Sequence, residues 1–332
     1  MGCSKLPSTS SKGKLNTIAF YNTENLFDTK NDPKTKDEAY LPDGARQWTQ
    51  ERYQAKLKKL ATTIESIAGD EGPAIVGLGE VENEQVVRDL ISTSPLKKYN
   101  YGIIHHDMPD EEGLDVALIY RPKAFKPTAT ESLKVDYKDR NFRSREILQV
   151  KGQLRGELVT IYVNHWPTPS RTRRGKEDDK YQRLAAATLR REIKKQQDID
   201  PNAKIIVMGD FAAEPKSEVM QKVLKATGRP NPAYNEELFN THYMSFVNGL
   251  GSYHSRGDFQ MYDQIMVSKS LLNEQGGLQF VRGSAGIHDP VPTKYTLGKF
   301  RETPRSTYNG NLYLGGTSSH FPVYIQVRKE RR

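Results

Sequence analysis

Residues 205–210 read IIVMGD, a short β-branched run that stops on an acid. Three other runs follow the same plan: TIAFY (17–21) ends on Asn22, AIVGLG (74–79) on Glu80 and TIYVN (160–164) on His165. Brief apolar runs rich in Ile and Val read as buried strands, and in layered α/β proteins reacting groups collect where such strands end. One such ending would be noise. Four polar endings in the same position predict strands converging on one pocket.

The remaining segments surround these runs. A first strand is expected over Asn16–Tyr21. A helix follows in which Tyr53, Leu57, Leu60, Ile64 and Ile67 fall three and four apart, one apolar stripe against a core. Ala74–Leu78 is the next strand and Glu84–Ile91 a short helix. Further strands are expected over Tyr101–Ile104, Val116–Tyr120, Ile147–Leu154 and Leu158–Val163, the last two joined by a hairpin at Gly156. Tyr181–Gln196 and Ser217–Leu224 read as helices, Met261–Val267 and Phe321–Gln326 as strands. Residues 281–317, rich in Gly, Pro and Tyr, read as a long surface loop system. Hairpin-joined strands mixed with helix-separated ones suit two packed sheets with helices outside, in a single domain over residues 15–330.

Composition narrows the class. Of 332 residues, 36% are hydrophobic and mean hydropathy is −0.74, so the core must be concentrated in the strand runs. No apolar stretch approaches the ~20 residues of a membrane helix. The net charge of +9 and a pI near 9.3 favour polyanionic partners, beyond what solubility alone asks. The chain is expected to be a monomer.

Cys3 is the one cysteine, which excludes an intrachain disulfide and a cysteine-based zinc site. The polar stretch after it reads as a flexible tether over residues 1–14. Bacterial lipoproteins begin at an acylated cysteine followed by such a tether, so Cys3 is a candidate lipid anchor and the expected location is the bacterial cell envelope or outside the cell, with the cytoplasm as the alternative. Leu6 stands where the myristoylation pattern wants Ser or Thr.

The chemistry follows from residue type. Glu80 and Asp210 carry hard oxygens of the kind Mg2+ or Mn2+ prefers. A lone acid is more often a cap or salt-bridge partner, but two on separate strand ends can share an ion. His165 and His320 are candidates for proton transfer or for donating to developing charge, and each needs a carboxylate to fix its tautomer. Glu146 and Asp263 are available, and the sequence leaves the pairing open. Asn22 could donate to a phosphate oxygen, although an isolated Asn is usually a turn or cap. Arg171, Arg173, Arg174 and Lys176, just past His165, form either a solvated loop or a clamp on a polyanion. His105, His106, His242, His254 and His288 read as surface histidines.

Taken together, YNTEN, GLGEVEN, SRE, VNHWP, MGDF, MYDQI and SSHFPV resemble, in order, the motifs of the endonuclease/exonuclease/phosphatase superfamily, typified by deoxyribonuclease I. The resemblance covers about Asn16 to Val327, and YNTENLFD is similar to secreted or lipid-anchored bacterial members. It implies a four-layer α/β/β/α sandwich of two mostly antiparallel sheets flanked by helices, and metal-dependent hydrolysis of a phosphoester. It assigns Asn22 and Glu80 to the metal and phosphate side, pairs Glu146 with His165 and Asp263 with His320, and puts Asp210 at the centre, ligating the ion or orienting water. It adds Tyr262, before Asp263, as a substrate contact.

Two positions depart from the family pattern: Ala212 stands where Asn is expected after MGDF, and Ser319 where Asp is expected before the last histidine. Three readings follow. The first is a Mg2+- or Mn2+-dependent phosphodiesterase acting on DNA or RNA, weakened by Ala212 and Ser319. The second is the same chemistry on a phospholipid or phosphorylated small molecule. The third is a catalytically silent polyanion-binding member.

Overall fold

The computed structural model describes residues 13–171, 177–273 and 277–329, without the side chains of Asp70, Arg171 and Glu177. Two seven-stranded sheets form the body. In one, the order is Leu278–Phe280, Val323–Lys329, Leu15–Leu26, Ile75–Val81, Asp115–Tyr120, Gly102–His105, with Gly286–Ile287 added beside Val323–Lys329. In the other it is Ala226–Thr227, Leu238–Asn240, Asp263–Ser268, Ile205–Asp210, Glu157–His165, Ile147–Leu154, Phe125–Leu133.

Most neighbours are antiparallel, but each sheet has a parallel pair at its heart: Leu15–Leu26 with Ile75–Val81, and Glu157–His165 with Ile205–Asp210. Parallel partners need a crossover. Helix Gln50–Ser66 lies within the first crossover and helix Lys180–Ile199 within the second. Strands covered on both faces become nearly continuous apolar runs, which is why the quoted runs are so plain in the sequence.

Alternation along each central strand sorts side chains between layers. Ile18 and Phe20 face the cluster between the sheets, where Val150, Ile161, Met208 and Ile265 meet them. Ala19 and Tyr21 point the other way, onto Leu57, Leu60 and Ile64 of the first helix. Ile206 and Met208 likewise face inward, while Ile205 and Val207 pack on Ala185, Leu189 and Ile193 of the second. Helix, sheet, sheet and helix therefore stack in four layers.

Helix starts are chemically marked. Asn83 caps Glu84–Ser92 by accepting from the Val86 N–H at 3.0 Å, a bond of a type that contributes about 1 kcal/mol.

Three local expectations change. The strand Phe125–Leu133 is absent from the sequence reading because only its two ends are buried; it is an edge strand whose register slips beside Pro127. Ser217–Leu224 contains only a five-residue wide turn, Val219–Val223, and the left-handed Lys225 (φ 61°) follows it. The segment 281–317 holds short elements, among them a Tyr308–Asn309/Leu312–Tyr313 hairpin.

The paired strands Glu157–His165 and Ile205–Asp210 pack closely near their ends. A methyl group on Gly209 would lie 2.3 Å from the Asn164 carbonyl oxygen of the adjacent parallel strand. Gly209→Ala is therefore expected to destabilise by at least about 1–3 kcal/mol, read as a lower urea midpoint with unchanged slope.

Candidate active site

The strand ends converge as the four runs predict. In the parallel registers Asn22 lies opposite Gly79, and Asp210 opposite His165; across the antiparallel neighbour, Asp210 also lies opposite Asp263. His320 sits three residues before the Val323–Lys329 strand.

At the strand ends one carboxamide bridges the two sheets. Asn22 Nδ2 donates to Glu80 Oε1 at 2.9 Å and to Asp210 Oδ2 at 3.1 Å, and Asn22 is fully buried. Its Oδ1 accepts from the Glu24 N–H at 2.9 Å. The other Glu80 oxygen, Oε2, accepts from the Asn25 N–H at 2.9 Å. Each oxygen of Glu80 is thus fixed by one donor.

This arrangement requires unusual backbone. From Asn22 to Leu26 the first strand advances four positions while its partner advances two, from Gly79 to Val81, so the register breaks there. Glu24 (φ 52°), Asn25 (φ 54°), Glu80 (φ 59°) and Ala212 (φ 44°) all adopt left-handed conformations. Such conformations are uncommon outside glycine and gather where function holds them. Thr23 Oγ1 closes the bulge onto the Gly79 and Glu80 carbonyls, 2.9 Å each. Behind it lies a fully buried ammonium, Lys56, which burial pushes down to about 8 against the pull of Glu24 and Glu80.

The histidines differ in charge. His320 Nδ1 donates to Asp263 Oδ2 at 2.6 Å, and its Nε2 lies 3.8 Å from Asp210 Oδ2. Burial opposes its charge, but Asp263, Asp210 and Glu80 outweigh it and push His320 up to about 10. It is an imidazolium at neutral pH. His165 is the reverse: burial, Arg145 and His320 hold it well below the usual range, so it is neutral. Its Nε2 accepts from Arg145 Nη2 at 3.1 Å and lies 3.6 Å from Glu80 Oε1. Asp210 is raised above the usual carboxylate range by burial and by Asp263.

Not every expected partner meets. Glu146 does not take up the His165 proton: it accepts from Ser132 Oγ at 2.6 Å, and His165 Nδ1 is buried without a hydrogen-bond partner among the described residues. Tyr262 stacks on Tyr253, which in turn stacks on His320 with ring centres 4.7 Å apart. Ala212 donates its N–H to Asp210 Oδ1 at 2.9 Å. Arg173 and Arg174 lie outside the described residues, as do Cys3 and the Arg171 side chain. His242 and His105 are not surface groups: His242 is fully buried, and the His105 side chain is 3% exposed beside Asp115.

Sequence reasoning missed three residues. Arg145, inside the quoted SRE, is anchored on buried Asp110 at 2.7 Å and reaches His165. Tyr253 and Lys56 gave no signal, since only the tertiary fold brings them here.

The donor set suits a hard divalent ion. Glu80 and Asp210 present oxygens to the same Asn22 nitrogen, and burial with like charge already raises Asp210, so a cation relieves what the protein alone leaves unbalanced. Asp210, Asp263 and His320 also hold donor atoms within 4.8 Å of one another. The 2.6 Å bond and the charge on His320 make that trio an ion pair rather than a ligand set.

The Endonuclease/Exonuclease/phosphatase family model matches residues 17–329. Among solved structures, an endonuclease/exonuclease/phosphatase family protein from Bacteroides thetaiotaomicron is 16% identical with a TM-score of 0.57, covering 97% of this chain and 100% of that one. The Bacteroides thetaiotaomicron VPI-5482 mannosyl-6-phosphatase is 16% identical with a TM-score of 0.55, covering 94% and 99%. The D. rerio TDP2 complexed with single strand DNA product is 12% identical with a TM-score of 0.53, covering 94% and 98%. At these identities the likeness is one of fold. No curated protein sequence matches.

The charge on His320 has a measurable consequence. Its folded pKa is raised above the unfolded value near 6.5, so its contribution is full below that pH and is lost as pH rises through about 10. In metal-free buffer the stability advantage of the native chain over His320→Gln should shrink steadily between pH 6.5 and 10.5 in urea titrations. An advantage that grows with pH would contradict the assignment.

Proposed function

The chain belongs to the endonuclease/exonuclease/phosphatase family, and from that premise we propose that it is a divalent-metal-dependent phosphoester hydrolase with a nucleic-acid phosphodiester as substrate. The observation that carries this reading is the single Asn22 nitrogen shared by Glu80 and Asp210 beside a protonated His320. The +9 net charge supports a polyanionic substrate.

Glu80 and Asp210 would hold Mg2+ or Mn2+, which when bound neutralises charge on the phosphoryl group. The remaining work falls to side chains. The His320 imidazolium donates from Nε2 to a phosphoryl oxygen and is kept charged by Asp263. Asp210, at the centre of the site, orients the attacking water and accepts its proton. Arg145, fixed on Asp110, adds a guanidinium next to His165, where negative charge grows. Tyr262, stacked on the Tyr253 ring that packs on His320, and Arg171, Arg173 and Arg174 complete the proposed substrate contacts. The Cys3 tether adds a lipid anchor at the cell envelope. No helix among the described residues is long and apolar enough to cross a membrane.

A second substrate reading, a phospholipid, is favoured by one observation: Val291, Leu297 and Phe300 are exposed large apolar residues of the 281–317 segment. Plasmid nicking compared with sphingomyelin and inositol phosphate hydrolysis separates the two by relative rate.

Turnover is expected to be slow. Ala212 holds a left-handed conformation (φ 44°) that Asn adopts more readily than Ala, so Asn fits the existing backbone. Restoring a preorganised donor should return roughly 10²–10³ in rate. Ala212→Asn with Ser319→Asp should therefore raise Mg2+-dependent nicking by at least that factor, and Glu80→Gln should abolish it. Failure of the double variant to cleave any phosphoester would overturn the hydrolase reading; cleavage that persists in EDTA would overturn its metal dependence.

A further inference from the structure

Lys56 is the group in this molecule whose placement is hardest to explain by packing alone. Lysine is almost never fully buried unless paired, yet Lys56 is 2% exposed on the inner face of helix Gln50–Ser66. Its two acceptors are both neutral: the Glu24 carbonyl oxygen, and Thr307 Oγ1 at 2.7 Å. An ammonium in the interior that gains no carboxylate contact from these bonds is an expensive way to fill space.

Its acceptors show what it holds. Glu24 is the first of the two consecutive left-handed residues in the bulge, and the next residue, Asn25, gives its N–H to Glu80 Oε2 at 2.9 Å. The peptide whose carbonyl Lys56 grips is the one that carries this N–H. A peptide is planar, so fixing the oxygen of Glu24 fixes the direction in which the Asn25 hydrogen points. Thr307 completes the frame from the far side: its N–H donates to Glu24 Oε2 at 2.7 Å, and its hydroxyl receives the second Lys56 bond. Segments 283 positions apart in the chain thereby clamp one bulge.

We propose that Lys56 is a positioning residue for the metal centre: by holding the Glu24–Asn25 peptide it aims the donor that locks Glu80 in a ligating orientation. This rests on the reading of Glu80 as a metal ligand. Lys56 touches neither Glu80 nor substrate, so it acts through the Asn25 amide. Its charge works in the opposite sense, since a nearby cation repels a divalent ion. The two effects predict opposite outcomes when the ammonium is removed, which makes the proposal decidable.

The test is Mn2+ affinity of the full chain, by electron paramagnetic resonance, for native protein, Lys56→Met and Glu80→Gln, with unfolding midpoints alongside. Methionine keeps the length and apolar stem but neither donor. If Lys56 positions Glu80, the Lys56→Met protein, at temperatures where it is fully folded, binds Mn2+ at least tenfold more weakly. Unchanged or tighter binding overturns the proposal, since lost packing would lower the midpoint without weakening binding, and lost charge would tighten it. If Lys56→Met does not fold, Thr307→Val, which removes one of the two Lys56 acceptors, decides in its place: weaker Mn2+ binding supports the clamp and native affinity overturns it. Glu80→Gln separates the two levels. Native Mn2+ affinity in that variant shows that the metal reading has failed, whatever Lys56 does.

Discussion

One buried carboxamide links the two halves of this protein's chemistry. Asn22 belongs to one sheet and Asp210 to the other, and the nitrogen of Asn22 binds Asp210 and Glu80 at once. Two carboxylates drawn from water to the same point repel each other, and burial raises the cost. A shared donor offsets part of that cost, the His320 imidazolium a further part, and a divalent cation would supply the rest. Everything else around the site can be understood as support for this arrangement. The parallel pairs bring the four strand ends to one level, the bulge after Asn22 aims the Asn25 amide, and Asp263 keeps His320 charged.

The two histidines illustrate how environment divides roles between identical side chains. His320 is surrounded by Asp263, Asp210 and Glu80 and holds its proton; His165 faces Arg145 and His320 and does not. One is a donor and the other an acceptor at neutral pH, from a difference in neighbours alone. The expected Glu146 partner for His165 is turned to Ser132, so His165 takes its orientation from Arg145, a residue fixed in turn by Asp110.

How much of this was legible in the sequence follows from burial. The central strands are covered on both faces, so TIAFY, AIVGLG, TIYVN and IIVMG stand out as runs, and the groups that end them could be named. The outer strand Phe125–Leu133 exposes most of its length and carries no such signature. Asn22, Glu80, His165, Asp210, Asp263 and His320 were visible because each closes or opens a strand run or sits in a quoted motif. Lys56, Tyr253 and the His165–Arg145 contact were not, because a helical lysine inside an apolar stripe looks like a solvated charge until the fold closes over it. The same holds for His242, a histidine in a polar stretch that the sheets bury completely. Ala212 and Ser319 were legible only as departures from a pattern; the left-handed backbone at Ala212 supplies a physical reason why Asn suits that position.

In the proposed centre, strand ends from both sheets build one cation site from Glu80 and Asp210, with His320 serving as a charged donor and not a ligand. A crystal of the protein soaked in Mn2+ and measured at an anomalous wavelength tests this most directly. The expected result is one dominant peak with Glu80 and Asp210 oxygens at about 2.1 Å, as hard divalent ions require, and the His320–Asp263 bond intact. A peak ligated by His320, or none at Glu80 under conditions in which the protein hydrolyses a phosphoester, would contradict it.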